Sequence, residues 1–181
     1  MAYLRRTGAV LATIALIGVA AVPASAARGG EIASLRGSAR VLFPPSPDDD
    51  VRFAVDAHAR YRNPTGSPFP AAGDSWGTAR LTHVFTGERP GVIWYSIRVT
   101  CLMTGGNTAT VTGEIVDAAP DGRSAIGSVV GFSVTDLGRR DRVGFTGLPT
   151  GDQPVLRECM GPAGYFSLRD GDYTVVDAAH W

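Results

Sequence analysis

Val92-Ile93-Trp94-Tyr95-Ser96-Ile97-Arg98-Val99-Thr100-Cys101-Leu102, followed by Thr104-Gly105-Gly106-Asn107 and then Thr108 to Val116, is the stretch whose reading decides the fold. Ile93, Tyr95, Ile97, Val99 and Cys101 recur at every second position, with Trp94, Ser96, Arg98 and Thr100 between them. A period of two is that of a strand with one face in a core. Gly and Asn tolerate the positive φ of a tight turn, so 104–107 reads as a hairpin and 108–116 as the strand that pairs back.

The same alternation continues on either side. Val51 to His58 places Val51, Phe53, Val55 and Ala57 on one face, and Ser38 to Phe43, Gly77 to Phe85, Gly127 to Thr135, Arg142 to Phe145 and Asp172 to Ala178 read as further strands. Proline and glycine between Arg62 and Ser75 indicate a long loop, and 147–164, which carries Cys159, reads as irregular. About eight strands without helical periodicity imply an all-β fold, an antiparallel β-barrel or sandwich. Patterning leaves the two open, with barrel-like closure the reading carried forward.

The first 26 residues read as a cleaved signal peptide for the general secretory route. Arg5 and Arg6 form a basic start, Gly8 to Val22 an apolar stretch, and Pro23 with Ala24-Ser25-Ala26 a cleavage site. An uncleaved anchor is the alternative, since the apolar stretch approaches the ~20 residues that span a bilayer, but Pro23 and the Ala-x-Ala ending oppose it. Gly8 and Ala9 stand where a twin-arginine signal prefers bulky apolar residues. Residues 27–181 are then a single antiparallel β-domain, with no membrane association expected after cleavage.

Composition narrows the chemistry. The full chain has 181 residues and a formal net charge of zero, and all 17 of its basic residues are arginine. Removing Arg5 and Arg6 with the leader leaves a weakly acidic domain without the basic stripe that nucleic acid requires. The absence of lysine excludes Schiff-base chemistry. Cys101 and Cys159 are an even pair in an exported chain and read as a disulfide, with two buried thiols the alternative. Closing that loop is worth roughly 4 kcal/mol on a chain-entropy estimate.

Val99-Thr100-Cys101-Leu102, Gly106-Asn107-Thr108-Ala109, Phe132-Ser133-Val134-Thr135-Asp136-Leu137-Gly138 and Gly171-Asp172-Tyr173-Thr174-Val175-Val176-Asp177-Ala178 together resemble small secreted actinobacterial β-proteins. In that group a strand ends in Cys-Leu, a Gly-Asn turn follows, and the last strand closes with Val-x-Asp-Ala. Thr104 departs from the aliphatic residue usual there, and Asp172 from the usual Asn. The resemblance covers the chain from about Val51 onward. It implies compartment and fold, and brings no activity with it.

Possible sites are sparse. Asp56 and His58, two apart on a strand, leave the same face. If the strand of His83 lay beside them, a metal or acid–base site could form; polar residues on a solvated sheet face are the simpler reading. Asp48-Asp49-Asp50, and Asp170 with Asp172 around Gly171, offer carboxylate oxygens to calcium but match no defined calcium loop. Arg139-Arg140-Asp141-Arg142 reads as a positively charged turn, and His180 beside Trp181 as a frayed end. There is no Gly-x-Ser-x-Gly elbow and no phosphate-cradling glycine loop. Of Glu31, Glu88, Glu114 and Glu158, only Glu114 lies in a clear strand, which leaves no carboxylate pair for glycoside cleavage. Trp76, Trp94 and Tyr95 suit a barrel mouth or a sugar-stacking patch.

These residues point to a secreted, disulfide-bonded β-domain acting as a non-enzymatic binding or structural module, with an extracellular ligand or partner unspecified. No catalytic residue, cofactor or metal ligand is assigned. The alternatives are a barrel-type hydrolase or isomerase using Asp56 and His58, or a lipocalin-like carrier of a small ligand. A large apolar interior would favour the carrier, and a filled one would remove it.

Overall fold

In the computed structural model, residues 32–62, 71–146 and 156–178 are described. The leader, residues 1–26, its cleavage site, Glu31 and His180 lie outside them. Eight strands follow one another: β1 (Ile32–Val41), β2 (Asp50–Arg62), β3 (Ala71–Phe85), β4 (Gly91–Gly105), β5 (Thr108–Ala118), β6 (Val129–Thr135), β7 (Arg142–Phe145) and β8 (Phe166–Val176). Each pairs antiparallel with its neighbour in sequence, and β8 returns to pair with β1, so the sheet closes into a ring. The expected all-β architecture is therefore present, and every strand has a partner on both sides.

The ring is uneven. β2 pairs along β3 from Asp50↔Val84 to Arg62↔Ala71, whereas β7 meets β8 only at Arg142↔Ser167 and Val143↔Phe166. Leu35, Phe53, Ile97, Val111, Ile115, Phe132, Val134 and Tyr173 fill the interior. The Phe53 and Phe132 rings meet edge to face with centroids 4.4 Å apart, a favoured aromatic geometry. Tyr173, 1% exposed, donates its hydroxyl to the Phe53 carbonyl at 2.8 Å, so its polar end is satisfied inside an apolar core. Burial raises its pKa well above the ordinary tyrosine value.

Three strands start earlier than the sequence suggested, because mid-strand glycines read as terminators. β1 runs through Gly37, β3 through Gly77, and β8 through Gly171. Gly37 and Gly171 face each other's strand at φ 152° and 89°. A Cβ on Gly37 would stand 2.2 Å from the Asp172 carbonyl, and one on Gly171 would stand 2.3 Å from that of Ser38. These glycines allow β1 and β8 to kink together without breaking the ladder. Asp170 and Asp172 therefore lie inside a strand opposite Arg40 and Ser38, not in a loop that could wrap a cation.

Cys101 also differs from expectation. The β4–β5 register shifts between Val99, opposite Gly113, and Cys101, opposite Thr112. Thr100 is the extra residue of a bulge, which turns the following side chains over. Leu102 and Thr104 consequently become buried while Met103 is exposed. Cys101 leaves the face of Ile97 and Val99 and joins Thr112 on the outside of the ring.

That placement explains the disulfide. Cys101 bonds Cys159, closing a sequence separation of 58. The segment around Cys159 is a strap laid across the outside of β6 and β7. Its Met160 carbonyl would lie 2.3 Å from a Cβ on Gly131, and its Ala163 carbonyl 2.0 Å from one on Gly144. Only glycine admits a crossing chain so close. The Cys159 N–H donates to Thr112 Oγ1 at 3.1 Å.

Candidate functional site

Three places gather polar side chains, and each is set by strand register. The first is the end of the ring formed by the β1–β2 and β3–β4 connections. Asp49 Oδ2 lies 2.8 Å from His83 Nε2, and Asp49 Oδ1 accepts the Thr86 N–H at 2.9 Å and the Thr86 hydroxyl at 3.1 Å. The Thr86 N–H first, and His83 second, hold the Asp49 carboxyl below its usual range. Phe43 packs edge-on to His83 and against Phe145 and Phe166, so this cluster caps an apolar plug. Asp50 turns the other way, to Arg40 and Arg52. The acidic run thus sends its carboxylates to separate partners.

The second place is the opposite end. The Asp177 carboxylate accepts the Thr104 hydroxyl at 2.8 Å and the Gly106 N–H at 2.6 Å. Asp136 Oδ2 accepts the Val175 N–H, and the Asp136 carbonyl accepts the Asn107 side-chain amide. Asp141, 1% exposed, accepts the Leu137 N–H at 2.7 Å and the Tyr173 N–H at 2.9 Å. Burial, with Asp172 and Asp136 close by, pushes its carboxyl above the ordinary value despite those amides. Asp141 is therefore not part of an exposed charged turn: it is an internal acceptor, while Arg139, Arg140 and Arg142 around it face solvent. The Gly-Asn turn, Asp136 and the Val-Asp-Ala ending are brought together here to tie β4–β5, β6–β7 and β8 at one end.

The third place is the outer face of β1–β5. Register aligns Arg36, Asp56, Thr78, Arg98 and Glu114 in one row across the strands, and Ser38, Ala54, Arg80, Ser96 and Asp117 in the next. Between them lies an open trench of about 670 Å³, floored by small residues that include Gly37, Ala54, Thr78 and Ser96. Asp56 Oδ1 binds Arg36 Nε at 3.1 Å and His58 Nε2 at 2.8 Å, and the His58 ring stacks on Trp76 at 5.4 Å. On the far side, Arg98 pairs with Glu114. The Arg80 guanidinium lies 4.3 Å above the Trp94 ring and donates to Ser96 Oγ at 3.2 Å.

Asp56 and His58 do meet, as their spacing suggested. His83 does not join them: it stands on β3 opposite Val51, whereas His58 stands on β2 opposite Trp76, seven pairs along the same ladder. Among the described residues, no group of three or more His, Cys, Asp or Glu side chains is arranged to hold a metal ion. Trp94 and Tyr95 take opposite faces, Tyr95 being buried in the core. Among the described residues, a cavity within the ring lined by residues including Phe53, Leu81, Ile115 and Phe132 holds about 20 Å³, room for one water and not for a carried ligand.

Arg80, Ala54 and Ser96 were not singled out from the sequence. Each sits on the polar face of a strand, where small and charged residues are ordinary, and only the pairing of three strands puts them side by side. No protein-family model, curated protein or solved structure matches this chain.

Proposed function

We propose that the chain is exported and acts outside the cell as a non-enzymatic binding domain, using the trench across β1–β5. The observation that carries this reading is the trench itself: a concave surface across five neighbouring strands, floored by small residues and flanked by charged side chains of two adjoining rows. The Cys101–Cys159 bond fits an oxidising compartment. Among the described residues no helix is long and apolar enough to cross a membrane. The leader and the likeness to small secreted actinobacterial β-proteins supply the rest.

Two measurements test it. Protein recovered from the culture medium should have the mass of Ala27–Trp181 less two hydrogens; retention of residues 1–26 inside the cell rejects export. The purified domain should sediment with envelope material of the producing cells, and Ala54→Trp, which fills the trench, should release it. Equal sedimentation of the variant removes the trench from the reading.

A second reading rests on the Asp56–His58 contact, which fits a hydrolase or isomerase with His58 as base and Asp56 as its orienting partner. No serine, cysteine or second carboxylate is hydrogen-bonded to His58 among the described residues. A turnover found in the secreted protein and lost in His58→Ala, with the fold retained, establishes this alternative; its persistence rejects it.

A further inference from the structure

We infer that the trench takes a second copy of this chain, the two β1–β5 faces packing against each other about a two-fold axis parallel to β3. This names an occupant for the surface already read as the binding site, and rests on that reading.

Arg36, Asp56, Thr78, Arg98 and Glu114 are register partners in one row from β1 to β5. Their charges run plus, minus, neutral, plus, minus. Read from the other end, the row is minus, plus, neutral, minus, plus, so it is its own complement. A two-fold axis lying between two facing sheets, parallel to the strands and over Thr78, performs that reversal. It sets Arg36 over Glu114 of the second copy, and Asp56 over Arg98 of the second copy. Within one copy Arg36 already pairs with Asp56, and Arg98 with Glu114. Across the interface each of the four gains a second opposite charge. An axis along the row would instead lay every charge over its own kind, and one placed between β2 and β3 would set Arg36 over Arg98. The charge order selects one arrangement.

The rest of the face agrees. Its strands are paired on both sides in a closed ring, so strand addition has no open edge, and contact must be the aligned packing of one sheet on another. Ala54, Val55, Ala79, Ile97 and Val116 help to make the trench mainly apolar, and covering apolar surface favours association. Over the two rows Arg36, Arg80 and Arg98 balance Asp56, Glu114 and Asp117, so two copies meet without net repulsion. Four strand intervals of ~4.8 Å make the face only about 19 Å wide, narrow for an obligate interface, and the dimer therefore forms and dissociates with concentration. Arg80 is the one group the arrangement opposes. It lies on the axis strand and meets Arg80 of the second copy, each held over its own Trp94.

The experiment is light scattering of the intact disulfide-bonded domain over a concentration series, with native mass spectrometry of mixtures. The domain should dimerise, and less so as salt rises. Asp56→Arg and Arg98→Asp should each raise the dimer Kd at least about tenfold, because each sets two pairs of like charges face to face. Both positions are exposed, so melting temperatures should stay at the wild-type value. An equal mixture of the two variants should form a dimer with the mass of one of each, since every facing pair is then opposite again. Arg80→Gln should tighten the wild-type dimer about threefold, the size of one exposed charge contact. A domain that stays monomeric, a dimer indifferent to both charge reversals, or variants that do not pair with each other overturns the second copy and leaves the trench to the envelope sedimentation assay. Weakening by Arg80→Gln overturns the axis over β3.

Discussion

Strands β2, β3 and β4 run for 13, 15 and 15 residues, whereas β6 and β7 have 7 and 4. The long wall is held by its own ladders, and its outer face is left free. The short wall has only two backbone pairs where β7 meets β8, and other bonds make up the difference. The strap covers its outside, the disulfide fastens that strap to β4, and the carboxylates of Asp136, Asp141 and Asp177 take up amides at its end. A self-sufficient wall can present a surface for binding, whereas a wall that depends on its cover cannot.

Removing the crosslink should break this comparison most. Cys101→Ser with Cys159→Ser should cost about 4 kcal/mol, read by denaturant unfolding. Amides of Gly131 to Thr135 and Arg142 to Phe145 should lose hydrogen-exchange protection before those of β2 and β3. If the long wall loosens first, its independence is wrong. Next, Asp141→Ala leaves the buried N–H groups of Leu137 and Tyr173 without their acceptor and should cost about 3 kcal/mol. A loss below 1 kcal/mol would mean that those amides find other partners.

Acid titration sharpens the contrast, because the two ends respond in opposite senses. Asp49 has its pKa lowered in the fold. Its contribution is present above the unfolded carboxyl value and is lost as pH falls through the lower, folded one. Asp141 has its pKa raised. Its contribution is present below the unfolded value and is lost as pH rises through the higher, folded one. Between pH 3 and 6, Asp49→Asn should therefore weaken the gain of stability with pH, and Asp141→Asn should strengthen it. Melting curves that change in the same direction for both variants would contradict the assignment. Smallest of all, Arg98→Gln removes an exposed pair with Glu114 on the long wall and should shift stability by no more than about 0.5 kcal/mol. A larger loss would show that the outer face does support its wall.

The strand pattern was largely legible because alternation is a local property: Val51 to His58 and Arg142 to Phe145 lie within or coincide with strands as read. Glycine misled where it served a neighbouring strand. Gly37, Gly77 and Gly171 look like stops along the chain, yet their function is to admit the backbone opposite them. The bulge at Thr100 was likewise invisible, since it exists only relative to β5, and it reverses the side on which Cys101 stands. Of the site, the Asp56–His58 contact followed from spacing. The trench did not, because Ala54, Arg80 and Ser96 are 16 to 42 residues apart.

Local chemistry in the sequence determined that this protein is built of alternating strands, with two cysteines available for one bond. Periodicity, turn residues and cysteine count each act over a few residues. Tertiary structure alone decided that the strands close into a ring, that the cysteines meet on its outer side over Thr112, and that small residues from separate strands line up into a trench. Register is a relation between strands, and a shift of one residue exchanges a strand's faces. Which side chains share a surface is therefore settled only when every strand has found its partner.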